Sequence, residues 1–157
     1  MNVLELLKCE NSQRMRKLDA LFDDYASYHR TAGNKWFHRV GIPLIMLSLL
    51  GMLARVEIVA IDSLRIDLAV VLIFASSVYY LMLDWKLGLG MLGVSIIFYF
   101  AGAALPMTAN VILFILGWIF QFIGHTVYEK KQPAFMRNFV HLLVGPLWIL
   151  KGMVRRG

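Results

Sequence analysis

Histidine occurs at four positions in this chain of 157 residues: His29, His38, His125 and His141. Each lies at or near the end of an apolar segment, and none falls in the middle of one. Imidazole is the commonest protein metal ligand and the side chain that ordinarily titrates near neutral pH. Histidines placed this way predict a metal site at the membrane–water boundary. A plainer reading competes with it, because interfacial His, Tyr and Trp also anchor helices at headgroup depth. Tyr79, Tyr80, Trp85, Trp118 and Trp148 read as such anchors. The spacing contains no His-Glu-x-x-His, and Cys9 is alone, so neither a standard zinc pattern nor an internal disulfide is available. From spacing alone, metal site and anchors both stand.

A ligating imidazole needs a partner on its other nitrogen. Gln121, His125 and Glu129 fall at i, i+4 and i+8, one helical face if the helix continues through them. Asp84, at the end of an apolar run, is another candidate partner. Asp23-Asp24 reads as a solvated face.

The elements that must position these residues are apolar helices. The chain is 59% hydrophobic with mean hydropathy +0.66, above the soluble range of roughly 45–50%. The excess is gathered in runs: Val40 to Leu53, Leu68 to Leu83, Leu87 to Leu105, Met107 to Ile123 and Phe139 to Leu150. A span takes roughly 20 residues. The reading is therefore all-α: a single integral membrane domain over 1–157, with spans at about 39–55, 67–84, 87–105 and 107–125. Gly88, Gly90 and Gly93 would allow close helix packing in the third. The segment 139–151 is short and carries Gly145-Pro146, which suits a re-entrant or interfacial helix. Residues 1–38 form a cytoplasmic amphipathic region, with a helix capped by Asn11 or Ser12 and running to about His29. Leu18, Phe22, Tyr25 and His29 share one face of it. Thr31 to Asn34 reads as a break, with Asn34 capping the next helix and His38 in its first turn.

Charge sets the expected orientation. Net charge is +6, and the basic residues flank apolar runs, which favours positive-inside topology over nucleic-acid binding. Lys8, Arg14, Arg16, Lys17, Arg30, Lys35 and Arg39 precede the first run. Lys130, Lys131 and Arg137 follow the fourth, whereas Arg55 and Arg65 in the first loop are balanced by Glu57, Asp62 and Asp67. Both ends then lie in the cytoplasm, and a re-entrant last segment keeps Lys151, Arg155 and Arg156 there too. In this topology all the histidines meet on the cytoplasmic face. No signal peptide is read at the start of the chain. A bacterial inner membrane is expected over the endoplasmic reticulum.

Two strings narrow the chemistry. The first is Tyr28-His29-x4-Asn34-x3-His38-x2-Gly41-Ile42-Pro43-Leu44; the second is Gly117-Trp118-x2-Gln121-Phe122-x-Gly124-His125-x3-Glu129-x3-Pro133-Ala134. With the order of apolar runs, from about Tyr25 to Pro146, the chain resembles the Mpo-like family of small membrane proteins, the 2-hydroxy fatty acid dioxygenases of lipid α-oxidation. The resemblance implies an Fe(2+) enzyme that takes a 2-hydroxy long-chain fatty acid and O2 to a fatty acid one carbon shorter. It implies His29, His38 and His125 as iron ligands, with His141 as a fourth. Glu129 could join the ligands or orient His125, and Asn34, Gln121, Asp84 and Lys130 are expected behind the ligands or at the substrate. Lys35, Arg39 and Lys131 could also attract the carboxylate. The familiar non-haem iron site uses two His and one carboxylate, so a set of histidines alone would depart from it.

Two other classes compete: a zinc-dependent membrane lipid hydrolase, and a non-enzymatic scaffold or lipid-binding protein whose histidines are anchors. A transporter ranks below these, since four spans with no midplane charge and no inverted repeat give it no obvious pathway. The bilayer is the expected partner, nucleic acid is not, and a homodimer is compatible with the sequence.

Overall fold

The structure, a computed structural model, describes residues 2–61, 64–136 and 138–154. Asp62, Arg137, Arg155 and Arg156, which entered the charge reading, lie outside them.

Helix α1 spans Val3–Ser27. It begins well before Asn11, because Leu4 to Glu10 are mostly strong helix formers and the Asn2 amide donates to the Glu5 carboxylate (3.3 Å). Helix α2 spans Ala32–Leu53. Its cap is the Thr31 hydroxyl, which accepts from the Asn34 amide (3.3 Å). Asn34 is thus inside the helix rather than capping it, and His38 falls in its second turn. A β-hairpin follows, β1 over Glu57–Ile61 and β2 over Leu64–Asp67, antiparallel. The loop expected between the first two apolar runs is thus a hairpin; Ile58, Val59 and Ile61 are β-branched, which suits strands.

Helix α3 (Leu68–Leu83) is capped by Asp67, and α4 (Trp85–Ala104) by Asp84. Helix α5 (Met107–Ile123) runs on into a π-helical turn over Gly124–Glu129, which Lys130 ends in the left-handed region (φ 53°). Helix α6 spans His141–Val154 with Pro146 inside it. Among the described residues, α2, α4 and Met107–Glu129 are long and apolar enough to cross a membrane; α3 and α6 are shorter apolar helices. Phe74, Ile97 and Phe100 point outward, 66–72% exposed, as side chains meeting lipid do.

Helix α2 is the spine, packed chiefly against α5 and α4. Close approach depends on glycine. A Cβ on Gly41 would meet the Gly117 carbonyl, and one on Gly51 would meet the Gly102 carbonyl. Of the glycines expected to do this in α4, Gly88 sits against the Leu81 backbone, while Gly93 has open space before it. The α1 face read from the sequence is buried: Leu18, Phe22 and Tyr25 join Tyr80, Leu83, Met91, Val144 and Leu147 in one core. This core clamps α1 against α3, α4 and α6, and so carries His29 over the end of α2.

Candidate metal centre

His29 comes from the turn after α1, His38 from the second turn of α2, and His125 from the π-helical turn after α5. The sequence separates them by up to 96 positions; the fold brings one ring nitrogen of each within 4.8 Å of the others. The rings meet edge to face, with centroids 4.3 Å apart for His29 and His38, 4.9 Å for His29 and His125, and 4.7 Å for His38 and His125. All three are at most 2% exposed. The wider π turn re-aims His125, and such turns recur at functional sites.

Hydrogen bonds select the tautomers. The Nδ1–H of His29 donates to the Tyr25 carbonyl (2.7 Å), and that of His38 to the Asn34 carbonyl (3.0 Å). Each is a bond back along the chain to residue i−4, so the helix end itself orients the ring. Nε2 of both rings is left as a lone pair. Among the described residues, the buried His29 Nε2 and His125 Nδ1 have no hydrogen-bond partner. An unpartnered buried polar atom costs on the order of 1–3 kcal/mol unless something binds it. Burial, with His125 and His141 nearby, lowers the His29 pKa to about 4, although its bond to the Tyr25 carbonyl works the other way. A neutral, pre-oriented ring with a free lone pair is what a transition metal takes. The donor set therefore fits a metal ion.

The remaining expected residues divide. Glu129 faces the start of α2: its Oε1 accepts from the Thr31 amide (2.7 Å) and hydroxyl (3.1 Å). Asn34 is fully buried, its amide donating to the Tyr28 carbonyl (3.2 Å) and its Oδ1 set against Gly124. Gln121 is buried, and among the described residues its Nε2 has no partner. His141 is buried beside the cluster but outside the group of three; its Nε2–H donates to Asp24 Oδ2 (2.8 Å), and its Nδ1 has no partner among the described residues. Asp84 is brought elsewhere, as the cap that accepts from the Leu87 amide (2.8 Å), and Lys130 is exposed.

An elongated cavity of about 380 Å³ opens from the cluster, within the range of roughly 300–1,000 Å³ typical of small-molecule sites. His29, His38, His125, Gln121 and His141 stand at one end, and Leu49, Leu50 and Leu72 at the other. Sequence reasoning missed several contributors. Asp24 is exposed, as the solvated reading has it, and it also accepts from His141 and orients that ring. Trp118 lines the cavity, and Tyr80 is buried with its hydroxyl donating to the Leu143 carbonyl (2.9 Å), so Tyr80 is a core residue rather than a headgroup anchor. Tyr25 stacks on His29 at 4.0 Å, and burial pushes its hydroxyl pKa up. Its place on the His29 face was the available signal.

A family model described as "2-hydroxy-palmitic acid dioxygenase Mpo1-like" matches residues 15–156. The 2-hydroxy-palmitic acid dioxygenase MPO1 of Saccharomyces cerevisiae is 34% identical over 127 residues, an alignment that covers 80% of this chain and 73% of that protein. No solved structure matches. The match to the family model over nearly the whole chain, together with that identity, places this protein in the Mpo1-like family.

Proposed function

We propose that the chain is an iron(II)-dependent dioxygenase that converts a 2-hydroxy fatty acid and O2 to the fatty acid one carbon shorter, with CO2 and water as the other products. The carrying observation is the buried three-histidine cluster at the head of an apolar cavity, in a member of this family. The balance needs no second reductant: the substrate's hydroxyl-bearing carbon and its carboxyl carbon supply all the electrons that O2 takes up.

His29, His38 and His125 would hold the ion. Bound Fe(II) supplies open coordination positions and the redox capacity for O2 chemistry. The protein's own part is orientation and proton handling. The Tyr25 and Asn34 carbonyls keep the first two rings in the ligating tautomer. His141, held by Asp24, presents its Nδ1 lone pair to the cavity and accepts the hydrogen of the substrate's 2-hydroxyl. The Gln121 amide donates to the carboxylate. Apolar walls hold the acyl chain and exclude water. In this reading α2 to α5 all cross the bilayer and the centre lies at its cytoplasmic face, where Lys35 and Arg39 draw in the anionic headgroup.

The test is metal content of detergent-purified protein, prepared anaerobically without a histidine tag, followed by O2 uptake with 2-hydroxypalmitate. Stoichiometric iron with uptake supports the reading. Stoichiometric zinc without uptake replaces it with the hydrolase, because three His and a water also make a zinc site. No metal after iron is added back removes the centre altogether.

A further inference from the structure

The cavity has a length as well as a volume. It follows α2 from His38 to Leu50, twelve residues and therefore about 18 Å of helix. Along α3 it extends from Tyr80 to Leu72, about 12 Å. Ile45, Met46, Ile73 and Phe114 line the middle. The polar-bearing residues at the head end are the histidines, Gln121 and Tyr25, which stacks on His29; between them and Leu50 lie Trp118, Tyr80, Ser76 and Ser95, of which the Tyr80 hydroxyl is already spent on the Leu143 carbonyl (2.9 Å) and the Ser76 hydroxyl on the Leu72 carbonyl (2.7 Å). This is a slot for one unbranched hydrocarbon chain with a polar head.

The slot ends for a structural reason. Immediately beyond Leu50, α2 meets α4 and α5 with no room between them. Gly51 lies against the Gly102 carbonyl and the Asn110 amide, and Asn110 Nδ2 donates to the Gly102 carbonyl (2.9 Å). Asn110 is fully buried. Arg55, just past the end of α2, donates to the carbonyls of Gly51 and Leu105 and ties off the ends of α2 and α4. A tightly packed knot of this kind does not yield to a methyl group.

We propose that Leu49, Leu50 and Leu72, backed by the Gly51–Gly102–Asn110 knot, form a floor that sets the longest acyl chain the site takes. The proposal rests on the reaction given above. Extended chain advances on the order of 1.2 Å per bond, as extended backbone does, so about 18 Å holds roughly fourteen to sixteen carbons. Longer chains must buckle or leave their tails outside. Floor residues are thereby specificity-determining without touching the reacting atoms.

The experiment uses saturated 2-hydroxy acids of graded length, wild type, Leu72→Trp and Leu49→Ala. Turnover is measured on iron-loaded protein and equilibrium binding on metal-free protein, each variant divided by wild type at the same length so that detergent partitioning cancels. The expected wild-type optimum lies near sixteen carbons. Leu72→Trp should lose at least tenfold on acids of that length while short acids keep their values, and Leu49→Ala should gain on longer ones. Variants that scale all lengths alike, or a wild type indifferent to length, overturn the floor. Wild type that binds by length but turns over no acid overturns the reaction and leaves the floor standing. Leu72 is only partly buried and Leu49→Ala removes volume, so if one variant fails to fold the other still decides.

Discussion

Glu129 Oε1 accepts from both the amide and the hydroxyl of Thr31, at 2.7 and 3.1 Å. One carboxylate thereby ties the end of the α5 extension to the first turn of α2, and so ties the element carrying His125 to the one carrying His38. Glu129 is a brace rather than a member of the three-histidine group. Glu129→Ala should cost about 1–3 kcal/mol and lower metal affinity by about 10–100-fold, read by thermal melting and competitive chelation. Glu129→Gln, which keeps an acceptor oxygen, should recover most of both. A carboxylate that bound the ion directly would instead show no rescue.

Removing one ligand tests the centre more directly. His38→Ala should abolish stoichiometric metal while the helical circular dichroism signal persists, because the α2 packing at Gly41–Gly117 and Gly51–Gly102 lies further along the helix. Full metal occupancy in purified His38→Ala would sink the assignment.

The pH response has a definite sign. The His29 pKa falls from 6.5 to about 4 in the folded protein, chiefly through burial. The unfolded chain therefore takes up a proton first as pH falls. Stability from His29 is fully present above about pH 6.5 and is lost as pH drops toward 4, with a ceiling on the order of 3 kcal/mol. Melting of the metal-free protein should show this slope, and His29→Phe should make it shallower, the other buried histidines of the cluster keeping the remainder.

The His141–Asp24 pair separates proton handling from metal binding. Asp24→Asn should leave metal content intact and lower kcat by about 10²-fold or more, with a smaller change in KM. Equal loss of iron and activity would instead make His141 a ligand.

Lys130 offers a stability check away from the chemistry. Its positive φ of 53° ends the π turn, a conformation that costs a residue with a Cβ about 1–2 kcal/mol. Lys130→Gly should raise the melting temperature and leave metal binding unchanged.

Much of the site was legible in advance because its signals are local. Tyr28 to Leu44 and Gly117 to Ala134 carry the three histidines within recognisable strings, and helical periodicity placed His29 on the buried face of α1. Asp24 was not legible, since its partner is 117 positions away. Nor was the hairpin, a short strand pair in the connection between two apolar runs. The caps were misread where Thr31 and Asn34 competed: both suit an N-cap, and the choice depends on a Glu129 contact across 98 positions.

The sequence by itself determined the helical class, the apolar runs and the four candidate histidines, of which the fold groups three. Periodicity, hydropathy and residue chemistry are properties of neighbours along the chain. Tertiary structure decided which ring nitrogens stay free, that Asp24 orients His141 and Glu129 braces the centre, and where the cavity stops. Those depend on distances between elements remote in sequence. They are set by how closely α2 can approach α4 and α5, which no one-dimensional pattern of residues states.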